Sequence, residues 1–354
     1  MSPRLGVAAV LALCLAGCGL PYVKPLPKEA IQHRVRTADG WELSLIEYPA
    51  KGPVRGRPVL LLHGILANNR NMDLDERHSL ARFLAAHGRS TWNLSVRGTG
   101  GSDAPDTGRG RHPGYDFDTI WKQDLTAAVA YVRARNGGQP VDFVGHSLGG
   151  LMLYAYLSQG GEGISAAVTL GSPARLDWGL RLTSLIPLTA WVVSPRWVLP
   201  MGGQATLAIP LTGTLKTDPV QALLYSPGNV EPETWKRLLA NGVGDLSAGV
   251  ALQLTPLVHE GRFLSADKKV DYREAMARIR TPILVVAGKL DRVGVVPAVK
   301  DGYRLLGGPK EWRLIAEENG AQVDYGHLDL LIGERASTEV FPYVLDFLDR
   351  HPDG

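Results

Sequence analysis

Three residues of this chain have the types and order needed for acyl transfer. Ser147 sits in "VDFVGHSLGGLMLYAYL", Asp291 in "PILVVAGKLDRVG" and His327 in "VDYGHLDLLIGE". A serine hydroxyl is a poor nucleophile until a base takes its proton, and a histidine base needs a carboxylate to hold its tautomer and stabilise the imidazolium. The pentapeptide Gly145-His146-Ser147-Leu148-Gly149 fits the G-x-S-x-G pattern, but in a chain with 41 glycines the pattern alone carries little weight. Its context carries more. An apolar strand run enters the motif and an apolar helical run leaves it, so the serine is expected on a tight strand-turn-helix elbow. The free N–H groups of the following helix would favour negative charge beside it.

The carboxylate is chosen by position. Asp291 follows directly on the strong apolar run "PILVVAG", at the strand end where α/β sheets put functional groups. Asp324 and Asp329 lie nearer His327 in sequence and are the competing partners. His146 adjoins Ser147 but leaves the elbow in another direction, which points to packing. His63 is read as shaping its loop, and His112 and His259 as exposed loop residues.

The elements that must position these groups form an alternating α/β series from about residue 32 onward. "HRVRTADGWELSLIEYP" reads as a hairpin turning at Ala38-Asp39-Gly40, and "PVLLLHG" as a buried parallel strand. Helices are expected at about Leu74 to His87 and Asp118 to Arg135, with the strand "STWNLSV" between them. Strands "AAVTLG", "PILVVAG" and "EWRLIA" follow, with helices near Val296 to Leu306 and Thr338 to Arg350.

The alternation stops between Gly171 and Pro282. This stretch, about 172–280, is broken by Pro187, Pro195, Pro200, Pro210 and Pro219 and holds Trp178, Trp191, Trp197 and Trp235. A structureless loop of that length is uncommon in a compact domain, so it reads as an inserted helical cap. Its tryptophans either pack within the cap or line a lipophilic pocket.

Composition is globular: 45% hydrophobic, 21% charged, with a net charge of +3 that implies no polyanionic partner and excludes nucleic acid as an expected one. No H-E-x-x-H or Cys/His spacing is present, so neither a metal nor another cofactor is expected. The first residues carry Arg4 and an apolar run, Leu5 to Ala16, too short for a transmembrane helix and typical of a secretory signal. Leu15-Ala16-Gly17-Cys18 resembles the lipobox of bacterial lipoproteins. That resemblance implies removal of residues 1–17, acylation of Cys18, and a tether over 18–31. With Gly19 and no aspartate after the cysteine, it also implies a lipid anchor at the outer membrane of a bacterial envelope. Cys14 would leave with the leader, so no disulfide is expected in the mature chain.

The order Ser147, Asp291, His327 resembles that of the α/β-hydrolase superfamily, and the resemblance runs from about residue 32 to the end. "LLHGILANN" looks like the superfamily's His-Gly segment after the third strand. It implies an oxyanion hole built from the amides of Ile65 and Leu148. "RGTGGSD" resembles the R-G-x-G-x-S loop after the fourth strand. "HGILANN" and "YGHLDLLIG" look closest to the acid-lipase branch and, more distantly, to polyhydroxyalkanoate synthases, which carry a cysteine where this chain has Ser147. Two features depart: Ser95 stands where the superfamily often has an aspartate, and acid lipases have a longer N-terminal region. The resemblance implies one α/β-hydrolase domain, a mostly parallel sheet with helices on both faces, acting on carboxylic esters of a hydrophobic or lipid-like kind. An acyltransferase or thioesterase using the same triad, and a non-catalytic lipid-binding lipoprotein, are the alternatives.

Overall fold

The computed structural model describes residues 20–105, 114–176, 194, 196–212, 219–226 and 228–351. Cys18, the leader, His112, Trp178 and Trp191 lie outside the described residues.

The expected hairpin opens the fold as β1 (Ile31–Arg36) and β2 (Glu42–Tyr48). Six further strands complete one sheet: β3 (Val59–Leu62), β4 (Thr91–Leu94), β5 (Val141–His146), β6 (Ile164–Leu170), β9 (Ile283–Gly288) and β10 (Lys310–Ile315). Their order is β1-β2-β4-β3-β5-β6-β9-β10. The first two pairings are antiparallel and all the others parallel. Every residue of β3, β5, β6 and β9 is buried, because helices cover both faces, and β3 (VLLL) and β9 (ILVVAG) accordingly read as unbroken apolar runs. Two hydrophobic clusters, one on each side of the sheet, form the core.

The covering helices include α1 (Leu80–Ala86), α2 (Thr126–Arg135) and α3 (Leu148–Ser158). The first is shorter than the expected 74–87 helix. Leu74 N–H instead bonds the His78 carbonyl, and the Ser79 side chain caps the helix by accepting from Arg82 N–H. Ahead of α2, residues Ile120–Leu125 form a π-helical turn.

The inserted segment carries α4 (Met201–Ala208), α5 (Pro219–Leu224), α6 (Pro232–Asn241) and α7 (Ala248–Gln253). It is not purely helical, because β7 (Val198–Leu199) pairs antiparallel with β8 (Leu246–Ser247). Trp235 is buried among core residues, whereas Trp197 is 50% exposed. After the insertion, α8 (Val296–Leu305) covers β9 and the chain ends in α9 (Phe341–Arg350). The expected 338–350 helix is broken at Val340, with Pro342 in the first turn of α9.

Candidate active site

The elbow between β5 and α3 is built as the glycines require. Ser147 has φ 51° and ψ −115°, a positive φ that an L-residue adopts only at a cost of about 1–3 kcal/mol. A Cβ on Gly145 would lie 2.6 Å from the Gly149 carbonyl carbon, and one on Gly149 would lie 2.4 Å from the Leu62 carbonyl oxygen. Both contacts are with backbone, so neither is relieved by a rotamer change. Strand, turn and helix approach each other too closely for any side chain at those positions. Ser147 N–H donates to the Leu170 carbonyl at 2.8 Å and fixes the elbow against β6.

Asp291 and His327 meet above the ends of β6 and β9. His327 Nδ1–H donates to Asp291 Oδ2 at 2.8 Å, with both side chains buried. Asp291 Oδ1 accepts from Val293 N–H at 2.8 Å and Gly294 N–H at 2.7 Å. The carboxylate therefore accepts three hydrogen bonds, one of them from the imidazole, and holds the ring by Nδ1 so that Nε2 faces away from it. A Cβ on Gly171, the residue after β6, would lie 3.1 Å from both Asp291 Oδ2 and His327 Nδ1, so the pair hangs directly over the strand that anchors Ser147.

The competing carboxylates do other work. Asp324 accepts from Glu317 N–H at 2.9 Å. Asp329 is fully buried and clamps the turn that carries His327. Its Oδ2 accepts from Gly326 N–H at 2.9 Å and from Asn229 Nδ2 at 2.8 Å. Burial pushes its carboxyl up to about 6. Leu328 N–H bonds the Leu224 carbonyl and Glu334 N–H the Asn229 carbonyl, so the insertion is sewn to the His327 turn.

The two flanking histidines are structural partners of the site. His146, buried beside Ser147, donates through Nε2 to the His327 carbonyl at 3.1 Å, and burial holds its pKa well below the usual imidazole range. His63 donates through Nδ1 to the Gly64 carbonyl at 2.8 Å and accepts at Nε2 from Val96 N–H at 3.3 Å. Burial lowers its pKa to about 4, so the ring is neutral at pH 7. This bond fixes the Gly64–Ile65 peptide plane, whose opposite edge carries the Ile65 N–H. Gly64 packs against Ser147: a Cβ on Gly64 would lie 3.1 Å from Ser147 Cβ. The amides of Ile65 and Leu148 have no carbonyl acceptor among the described residues, and both residues line one small cavity of about 20 Å³. Its other walls are largely apolar and include Leu66, Tyr115, Leu246 and Val250. His259, at the end of a short helix of the insertion, is not among these residues.

What holds this loop has no local signature in the sequence. Leu66 has φ 58°, a strained conformation, and its carbonyl accepts from Gly244 N–H at 2.9 Å. An antiparallel bridge joins Ala67 to Val243, and a Cβ on Gly244 would lie 2.3 Å from the Ala67 carbonyl oxygen. Asn68 Nδ2 donates to the Asn241 carbonyl at 2.9 Å. Ser95 Oγ accepts from Asn69 N–H at 3.1 Å, which gives the serine at that position a role. The neighbouring loop is fixed by Arg97, buried between Asp39 and Asp124 and paired with both; burial raises Asp124 to about 6.

Sheet order, elbow and buried acid–histidine pair together define the class. A family model described as alpha/beta hydrolase fold matches residues 57–328, and the chain belongs to that family. Among curated relatives, "Triacylglycerol lipase 1" of Arabidopsis thaliana is 30% identical over 164 residues, 44% of this chain and 41% of its own length. "Lipase 3" of Drosophila melanogaster is 30% identical over 199 residues, 53% of this chain and 48% of that protein. The chain thus aligns with less than half the length of either. Among solved structures, an esterase from Exiguobacterium antarcticum has a TM-score of 0.60 at 19% identity, covering 90% of this chain and 99% of its own, a likeness of fold.

Proposed function

We propose that the chain hydrolyses carboxylic esters with a hydrophobic acyl or alcohol group. Ser147 attacks the carbonyl while His327 Nε2 takes its proton, and Asp291 orients the imidazole and stabilises its charged form. The amides of Ile65 and Leu148 receive the developing oxyanion. The protonated imidazole then gives its proton to the leaving alcohol. Water, activated by the same imidazole, releases the acyl group from Ser147.

The observation that carries this reading is the buried His327–Asp291 hydrogen bond above a positive-φ Ser147. The apolar cavity walls at Leu66, Leu246 and Val250, together with lipase names among the relatives, support a hydrophobic ester as substrate. The mature chain would begin at an acylated Cys18 and work at a bacterial envelope membrane, a reading that rests on the lipobox-like sequence. No helix among the described residues is long and apolar enough to cross a membrane by itself. Turnover of p-nitrophenyl esters of increasing acyl length, with and without Ser147→Ala, tests the proposal. Ser147-dependent hydrolysis that persists or rises beyond acetyl supports it, and equal rates for the two proteins would refute it.

A further inference from the structure

We infer that the face of the inserted segment around Asn241–Ala248 lies against a lipid bilayer, so that the site opens onto the membrane surface. The inference rests on acylation of Cys18 and adds what that reading leaves open: which side of the molecule meets lipid.

The first constraint is chain length. Cys18 precedes Tyr22 by four residues, and an extended chain spans at most ~3.5 Å per residue, about 14 Å in all. Tyr22 is not free to move away from the body. Its carbonyl accepts from Asn241 Nδ2 at 2.9 Å, the next-but-one residue Lys24 donates its N–H to Asn241 Oδ1 at 2.8 Å, and the Lys236 ammonium lies 5.4 Å from the Tyr22 ring centre. Both Asn241 and Lys236 belong to α6. An acyl chain on Cys18 therefore enters the bilayer within about 14 Å of the end of α6.

The second constraint is what that region exposes. Val23 lies between the two residues tied to Asn241 and is 50% exposed. Leu66, whose carbonyl accepts from Gly244 N–H, is 37% exposed. Trp197, whose carbonyl accepts from Ala248 N–H, is 50% exposed, and Leu199, paired with Leu246, is 43% exposed. Four exposed large apolar side chains thus belong to residues bonded to, or next to residues bonded to, one eight-residue segment. Lys24 and Arg196, both exposed, adjoin Val23 and Trp197 in sequence. A tryptophan and aliphatic side chains edged by cations suit the headgroup boundary, where the rings and stems enter the apolar layer and the charges meet phosphates. Leu66 and Leu246 also line the cavity that Ile65 and Leu148 line. Leu66 thus joins the exposed apolar side chains of this face to the wall of that cavity.

The test uses the full chain made in a bacterial host, purified in detergent and reconstituted into phosphatidylethanolamine/phosphatidylglycerol vesicles. Flotation reports the anchor, and quenching of tryptophan fluorescence by lipids with brominated acyl chains reports contact. Expected is a protein that floats, is quenched more by brominated than by plain lipid, and loses most of that difference in Trp197→Phe. A protein that floats but shows no Trp197-dependent quenching overturns the proposal, leaves the anchor standing, and assigns the face to another occupant such as a second copy. A protein that does not float overturns the anchor and the proposal with it.

Discussion

Replacing Asp291 with asparagine changes one atom's chemistry and leaves the shape intact, and the surrounding donors decide the outcome. Oδ1 accepts from Val293 N–H at 2.8 Å and Gly294 N–H at 2.7 Å, and Oδ2 accepts from His327 Nδ1–H at 2.8 Å. The new carboxamide has one oxygen. Turning its NH2 toward the two amides would cost two hydrogen bonds of about 1 kcal/mol each and oppose donor to donor. The oxygen therefore stays on Val293 and Gly294, and the NH2 faces His327 Nδ1. The imidazole must then accept at Nδ1 and carry its proton on Nε2, so it can no longer take the proton of Ser147. The expected loss in kcat/KM is about 10⁴-fold, or ~5.5 kcal/mol, as for the equivalent change in a well-studied serine protease triad. The assay is spectrophotometric hydrolysis of a short p-nitrophenyl ester, with a urea melt confirming that stability changes by no more than about 1 kcal/mol. Asp324→Asn, whose carboxylate faces Glu317 N–H, is the control and should cost less than about twofold. An Asp291→Asn loss below tenfold, or an equal loss at Asp324, would refute the assignment of the orienting acid.

Two further outcomes follow from the elbow and its supports. Gly149→Ala should destabilise the protein by about 3 kcal/mol or more, because the added Cβ meets the Leu62 and His63 carbonyl oxygens at 2.4 and 3.0 Å; a urea midpoint unchanged from wild type would contradict that packing. His63 has its pKa lowered by burial from 6.5 to about 4, so its neutral form contributes stability that is present above pH 6.5 and lost as pH falls toward 4. At pH 4.5 the loss is about 2.5 kcal/mol relative to pH 7.5. In His63→Gln the wild-type-minus-variant difference in unfolding free energy should shrink by that amount between the two pH values, and a constant difference would show that His63 titrates normally.

What was legible in the sequence is what local pattern can encode. Buried parallel strands read as apolar runs because both faces are covered, and the elbow was visible because glycine spacing, strand and helix sit within one short stretch. Asp291 stands out because it ends a strand, and the structure pairs it with His327. The supports of the site depend on residues distant in the chain and left no such trace. Gly244 is glycine because of Ala67, Asn68 faces Asn241, and Asp329 holds Asn229. Leu74 continues the apolar spacing of α1 and so suggests a helix over 74–87, whereas the bond to His78 and the Ser79 cap that start the helix later belong to turn geometry. The β7–β8 ribbon, two residues per strand, is too short to show a period.

The central claim is that Ser147 is an activated nucleophile. Incubation of the purified protein with a fluorophosphonate, followed by peptide mass spectrometry, tests it directly. The expected result is a single stoichiometric adduct on the peptide containing Gly145-His146-Ser147, absent in Ser147→Ala and strongly slowed in His327→Ala. An adduct on another residue, or no adduct on a folded protein, would contradict it.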